Sequence, residues 1–189
     1  YDFYGADRIG ANLYGNCVLA LDASTGKHVW HYQTVHHDIW DYDLSAPPNL
    51  VSIKKEGKDI DAVAQVTKQG LVFILDRETG EPLFPVVEHP FPASNLPGEQ
   101  AWPTQPIPSK PKPYSRQMIT EEDLSNYSDA DHRALLEKFR SLRYEGLYTP
   151  PDLKGTLMFP GTRGGTVWGG AAYDPATNML YIRSNEAPE

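Results

Sequence analysis

The sequence predicts an all-β chain, about three blades of a β-propeller interrupted by a proline-rich and helical insertion over roughly 85–150. Three segments carry that reading. Ala20 to Trp30 reads ALDASTGKHVW, Ile74 to Phe84 reads ILDRETGEPLF, and Ala172 to Tyr181 reads AYDPATNMLY. Each runs from apolar residues through an Asp and a short turn to a Gly or Asn, then back to apolar or aromatic residues. The Asp carboxylate can cap the turn and the Gly or Asn can take positive φ, so each unit is a β-hairpin. The units recur at about 50 residues or twice that, the period of a four-stranded blade. An ordinary antiparallel sandwich is the competing architecture.

Further strand-like runs accompany the hairpins: Asn16 to Leu21, Asn49 to Ile53, Ala62 to Val66 and Thr156 to Phe159, with Lys54 to Asp59 as a polar turn. The pattern breaks between the second and third hairpins. Pro85 to Pro113 is dense in proline, which lacks an N–H and resists central strands, so the stretch reads as an extended surface segment. Ile119 to Leu142 then turns helical. Thr120 to Asp123 looks like a helix start, and Ser128 is a good N-cap with Asp131 three residues on. Leu135, Leu136, Phe139 and Leu142 fall at helical spacing, an apolar face that predicts packing on the sheet.

A chain of 189 residues is long enough for a real core, and 40% hydrophobic with 22% charged residues is globular rather than disordered. The net charge of −8, without a basic stripe, argues against nucleic acid and against anionic membrane surfaces. No apolar run approaches the roughly 20 residues of a membrane helix. Cys17 stands alone, which excludes an intrachain disulfide and a cysteine metal cluster.

Chemistry concentrates in His36 to Asp43, HHDIWDYD, with two histidines, three carboxylates and two aromatics. A core needs no such density of ionisable groups, because a buried charge is costly unless paired. The alternatives are a metal or acid/base site and a solvated turn. Adjacent strand residues point to opposite faces, so His36 and His37 cannot easily share one ion and read as supporting or structural residues. Asp43 falls on the same side as Asp41 if the segment is extended. It could ligate a cation or pair with an arginine. Trp168, in a glycine-rich WGG turn, either lines an axial cavity or packs between blades.

Taken in order, GKHVWHYQTVHHDIWDYDLSAPPNL, VTKQGLVFILDRETGEPLFPV, PTQPIP, RYEGLYTPP, GTLMFPG and WGGAAYDP resemble the quinoprotein dehydrogenases that use pyrroloquinoline quinone (PQQ). The branch of membrane-bound glucose dehydrogenase and polyol or alcohol dehydrogenases is the most similar. The resemblance implies an eight-bladed β-propeller, of which residues 1–189 would form part of one domain, with PQQ and Ca²⁺ or Mg²⁺ near the axis. It implies oxidation of a sugar, polyol or alcohol, with electrons passed to a quinone or cytochrome c. A periplasmic location follows, with a membrane anchor in the parent as an option.

Residue by residue, the resemblance makes Asp41 the general base, and Asp41 and Asp43 are the candidate cation ligands of this chain. It makes Lys68, in TKQG, the contact to the quinone oxygens, and Asn185 a cofactor contact with Arg183 as the alternative. Trp168 joins the cofactor site if it lines the cavity. A cation-binding asparagine is expected just before Tyr1, and a glutamate ligand and a stacking tryptophan further upstream. The chain alone is accordingly expected to self-associate, to depend on the remaining blades and to hold PQQ weakly. The competing function is a non-catalytic propeller that binds partners or assembles outer-membrane proteins, which has no need of WDYD with Lys68.

Overall fold

A computed structural model describes residues 2–189. Nine strands form four small antiparallel sheets among the described residues, with one α-helix. The strands are β1 (Cys17–Leu21), β2 (His28–Gln33), β3 (Asn49–Lys55), β4 (Lys58–Val66), β5 (Val72–Asp76), β6 (Val86–Pro90), β7 (Thr104–Pro108), β8 (Ala171–Asp174) and β9 (Met179–Ile182). They pair as β1-β2, β3-β4-β5, β6-β7 and β8-β9.

The three-stranded sheet is the centre of the molecule. Val63, Phe73 and Leu75 point to one side, against Val18 and Trp30 of β1-β2. Ala62, Ala64, Val66, Val72 and Ile74 point to the other, against Tyr173, Leu180 and Ile182 of β8-β9. A sheet covered on both faces needs unbroken apolar strands, which is why Ala62 to Val66 and Val72 to Leu75 are buried throughout. Asn49 Nδ2 donates to Ala171 O at 3.0 Å, tying β3 to β8. Sheets stacked face to face in this way are propeller blades, and the expected all-β propeller fragment is what the chain forms.

The hairpin aspartates act as their sequence pattern predicts. The Asp22 carboxylate accepts from the N–H and hydroxyl of Ser24 and Thr25 at 2.7–3.1 Å, and these bonds hold its pKa down at about 2. Asp76 and Asp174 are lowered by the same kind of turn contact. The second hairpin closes more loosely than expected. Beyond its turn, β5 meets its return segment in the single bridge Leu75↔Pro82. Pro82 is that bridge partner and Pro85 follows it, and neither can donate to a ladder.

Gly80 in this turn (φ 75°) sits against the Trp30 ring of the neighbouring sheet, and a Cβ there would lie 2.5 Å from it. Gly80→Ala therefore combines a left-handed backbone with overpacking, and should destabilise by about 2 kcal/mol or more. Denaturant unfolding checks this; an unchanged midpoint would mean that the indole moves aside freely.

Three expectations need correction. The proline-rich stretch is not wholly extended surface, because β6 and β7 pair inside it. Ser109 N–H donates to Pro85 O at 2.9 Å and Phe91 N–H to Pro103 O at 3.1 Å. That phase makes Val87↔Ile107 and His89↔Gln105 the hydrogen-bonded pairs. Pro90, Pro106 and Pro108 occupy the alternate register, where the missing N–H would point away from the partner strand.

Thr156 to Phe159 is not a blade strand. Apart from the bridge Arg143↔Thr156, Met158 exchanges both backbone bonds with Glu189, at 2.7 and 3.0 Å.

The helix α1 (Asp129–Ser141) starts at Ser128, whose hydroxyl accepts from Asp131 N at 3.1 Å, but it does not lie on the sheet. Phe139 and Leu142 pack on Ile119, Leu157, Phe159 and Tyr144, all outside the strands, and Leu135 stays exposed. Thr120 to Asp123 forms a separate 3-10 turn (Glu121–Asp123), in which the Asp123 carboxylate accepts from Thr120 N at 2.7 Å. No helix among the described residues is long and apolar enough to cross a membrane.

Candidate active site

The segment that leaves β2 alternates from Trp40 to Asp43, with buried aromatics between more open carboxylates. Ile39, Trp40 and Tyr42 are fully buried with Val35, Tyr148 and Met158. Trp40 Nε1 donates to Thr149 O at 2.8 Å and Tyr42 Oη to Pro160 O at 2.6 Å, so each polar tip is satisfied inside the core. Asp41 and Asp43 point out the other way, towards Lys68. The aromatic half of WDYD is therefore core and the acidic half is site.

Lys68 sits on the turn between β4 and β5. Thr67 N donates to Leu71 O and Gly70 N to Thr67 O, both at 3.1 Å, and Gly70 takes φ 79°. The turn lies at the end of the most buried strands, and Lys68 is only 6% exposed. Its ammonium donates to Asp41 O at 2.7 Å, to Asp41 Oδ2 at 3.2 Å and to Asp43 Oδ1. Asp43 pairs with this lysine rather than with the arginine that the sequence offered as one option.

The two carboxylates are more open than the lysine, at 34% and 50% side-chain exposure. Burial nevertheless raises the Asp41 pKa above the ordinary carboxylate value. The nearby Lys68 charge opposes that rise, and Asp43 and Asp2 add to it. Asp41 itself adopts φ 56°, a left-handed backbone that few residues other than glycine and asparagine hold readily.

Asp41, Asp43 and Lys68 border a hollow of about 400 Å³ together with Ser45, Thr162, Arg163, Val167 and Trp168. Trp168 is 85% exposed and lines this hollow, so it is not a blade-packing aromatic here. Asn185 and Arg183 do not reach the same hollow. They line an adjoining one of about 380 Å³, with Val167 forming a wall of both. The backbone joins the two sets. Gly165 N donates to Lys68 O at 2.5 Å, and Asn185 N donates to Gly165 O at 2.9 Å. Side chains at Gly164 or Gly165 would collide with the Lys68 and Gly70 backbone, which explains the paired glycines of GTRGG.

His36 and His37 turn to different partners, as the sequence implies. His36 meets Gln33 Oε1 at 2.7 Å and Glu88 Oε1 at 3.1 Å. His37 is buried, with Nδ1 2.8 Å from Gly10 O and Nε2 2.7 Å from Glu99 Oε1. His36 ties the acidic segment to β6 and His37 ties it to the loops around Gly10 and Glu99, and neither lines this hollow.

The sequence reading missed Ser45, whose hydroxyl is buried without a hydrogen-bond partner on the hollow's wall. Its signal was available, two residues past Asp43 on the same side of an extended run. It also missed Arg163, which brings a second cation to the hollow from a segment with no motif around it.

Among the described residues no group of three or more His, Cys, Asp or Glu side chains is arranged to hold a metal ion. The hollow suits a planar, oxygen-rich molecule: Lys68 stands between Asp41 and Asp43, Arg163 is paired with Glu189 at 2.6 Å, Ser45 and Thr162 supply hydroxyls, and Trp168 offers an indole face.

Comparison with known proteins shows the family. The family described as "Glucose/ethanol/alcohol dehydrogenase, beta-propeller domain", under the heading PQQ, matches residues 1–189. Quinate/shikimate dehydrogenase (quinone) of Acinetobacter baylyi is 41% identical over 183 residues, covering 96% of this chain and 23% of that protein. Quinoprotein glucose dehydrogenase of Gluconobacter oxydans is 39% identical over 189 residues, covering 99% and 23%. The chain thus spans about a quarter of the length of the curated relatives it matches. Among solved structures, quinohemoprotein alcohol dehydrogenase from Comamonas testosteroni superposes with a TM-score of 0.56 at 22% identity, covering 98% of this chain and 22% of that one. That likeness supports the propeller fold.

Proposed function

The chain belongs to the PQQ-dependent glucose/ethanol/alcohol dehydrogenase β-propeller family, and from that premise we propose that it is the segment carrying the base and one quinone-facing cation of such an enzyme. The proposed substrate is a sugar, another polyol or an alcohol, oxidised to the carbonyl product. The observation that carries the proposal is the buried Lys68 ammonium held between Asp41 and Asp43 at the edge of a hollow shared with Trp168.

When bound, PQQ supplies an ortho-quinone that takes up a hydride equivalent from the carbinol carbon. The residues of this chain do the rest. Asp41 Oδ accepts the hydroxyl proton, and the burial that raises its pKa makes it a stronger base than an ordinary surface carboxylate. Lys68 Nζ places positive charge beside the position where negative charge develops. Asp43 holds the same ammonium from the other side and so keeps it aimed. Trp168, Arg163 and the Ser45 hydroxyl are proposed to hold the cofactor in the hollow, and Asn185 or Arg183 to approach it from the adjoining one.

Ca²⁺ or Mg²⁺ beside Asp41 and Asp43 is part of this proposal, as are a quinone or cytochrome c acceptor and a periplasmic location. No observation favours the partner-binding scaffold.

Adding PQQ and Ca²⁺ to the apo form of the full-length protein with an artificial electron acceptor tests the reading. Alcohol- or sugar-dependent dye reduction that requires PQQ is the expected result. Its absence across sugars, cyclic polyols and simple alcohols would refute the proposal.

A further inference from the structure

We propose that Asp38 is a positioning residue that holds Asp41 in its left-handed conformation and so aims the base at Lys68. This rests on the reading of Asp41 above. The inference starts from a conflict. Asp41 has φ 56°, a left-handed backbone that aspartate enters more often than most residues but at a cost that its surroundings must offset. Lys68 Nζ holds the Asp41 carboxylate and carbonyl from the hollow side, at 3.2 and 2.7 Å, and a second constraint comes from the chain before it.

Asp38 supplies the constraint. Its Oδ1 accepts from Trp40 N at 2.9 Å, so the side chain bonds the backbone immediately before Asp41. Its Oδ2 accepts from Asn16 Nδ2 at 2.8 Å, which fixes the carboxylate rotamer. Arg8 Nη2 donates to the Asp38 carbonyl at 2.5 Å, which anchors the backbone where the turn begins. The buried Trp40 and Tyr42 rings set the orientation of the residues on either side. With 40 and 42 both fixed inward, Asp41 is left with an outward carboxylate.

The Asp38 side chain is thus a local clamp, and its charge is incidental to the task. Asparagine offers the same Oδ1 to the Trp40 N–H. The Asn16 amide can turn to present its oxygen to the new NH₂. Alanine can do neither.

The test is made in the full-length holoenzyme with Asp38→Ala, Asp38→Asn and Asn16→Ala. For Asp38→Ala we expect kcat to fall about thirtyfold or more, with KM changed less than threefold and PQQ retention kept. Asp38→Asn should stay within about fivefold of wild type, and Asn16→Ala should fall between the two.

A crystal structure of the apo Asp38→Ala variant gives a readout independent of turnover. There Asp41 should leave positive φ and the Lys68 contact to its carboxylate should break. Should Asp38→Ala fail to fold, Asn16→Ala carries the same structural and kinetic comparison. The proposal is overturned if Asp41 keeps its backbone and its Lys68 contact in the variant that folds. It is also overturned if Asp38→Asn is as impaired in kcat as Asp38→Ala. Asp41→Asn run alongside separates this from a failure of the functional reading: normal turnover there removes Asp41 from the chemistry, whatever Asp38 does to its conformation.

Discussion

Asp41→Asn in the full-length holoenzyme lowers kcat by about a hundredfold or more, the usual scale for loss of a general base. Asparagine is the informative replacement for a structural reason. After glycine it is the residue that best tolerates the left-handed backbone, so φ 56° survives the change. Its amide oxygen can still accept from Lys68, so the ammonium keeps its two side-chain contacts and the Asp41 carbonyl. What the variant loses is the ability to take a proton. A hundredfold loss corresponds to about 2.7 kcal/mol of transition-state stabilisation. Cofactor retention should persist, because Lys68, Arg163 and Trp168 are untouched. Near-normal kcat in this variant would remove Asp41 from the mechanism. Loss of PQQ together with kcat would instead assign it to cofactor binding.

Much of this geometry can be read in the sequence, and the parts that cannot share a cause. The hairpins at Asp22, Asp76 and Asp174 are legible because their turn chemistry is local: a carboxylate and the N–H groups two and three residues on. The division of WDYD into core and site is legible as a period-two pattern, once Trp40 and Tyr42 are recognised as large aromatics.

The β6-β7 pair is not legible by composition. Proline forbids a strand only where its N–H would face the partner, and the phase of pairing is set by residues far along the chain. The helix misleads for a related reason. Its apolar spacing says that one face is covered, and the covering residues, Ile119, Leu157 and Phe159, come from loops without strand character. His37 on Glu99, and Asn185 beside Gly165, are contacts across long sequence separations between residues with no shared motif.

Removing the Lys68 side chain should have the second large effect, on two parameters together. Lys68→Ala takes away the only ammonium that Asp41 and Asp43 are bonded to among the described contacts, leaving two carboxylates facing each other at the hollow. Because both carboxylates are partly solvated, their repulsion costs only about 1 kcal/mol, and the fold should persist. The loss falls on function. A preorganised donor aimed at developing charge is worth about 10²–10³ in kcat, and kcat should drop by that range. The same charge also attracts the anionic cofactor at rest, so PQQ should be lost on dialysis that leaves wild type loaded. Lys68→Arg keeps the charge, but brings a planar fork into a slot that is 7% exposed and shaped for a single nitrogen. It should retain PQQ better than alanine while recovering little of kcat. Steady-state kinetics with excess PQQ and equilibrium dialysis without it separate the two effects. If kcat and retention both match wild type in Lys68→Ala, the lysine merely neutralises Asp41 and Asp43, and the cation facing the quinone must be sought elsewhere, with Arg163 on the same wall as the first candidate.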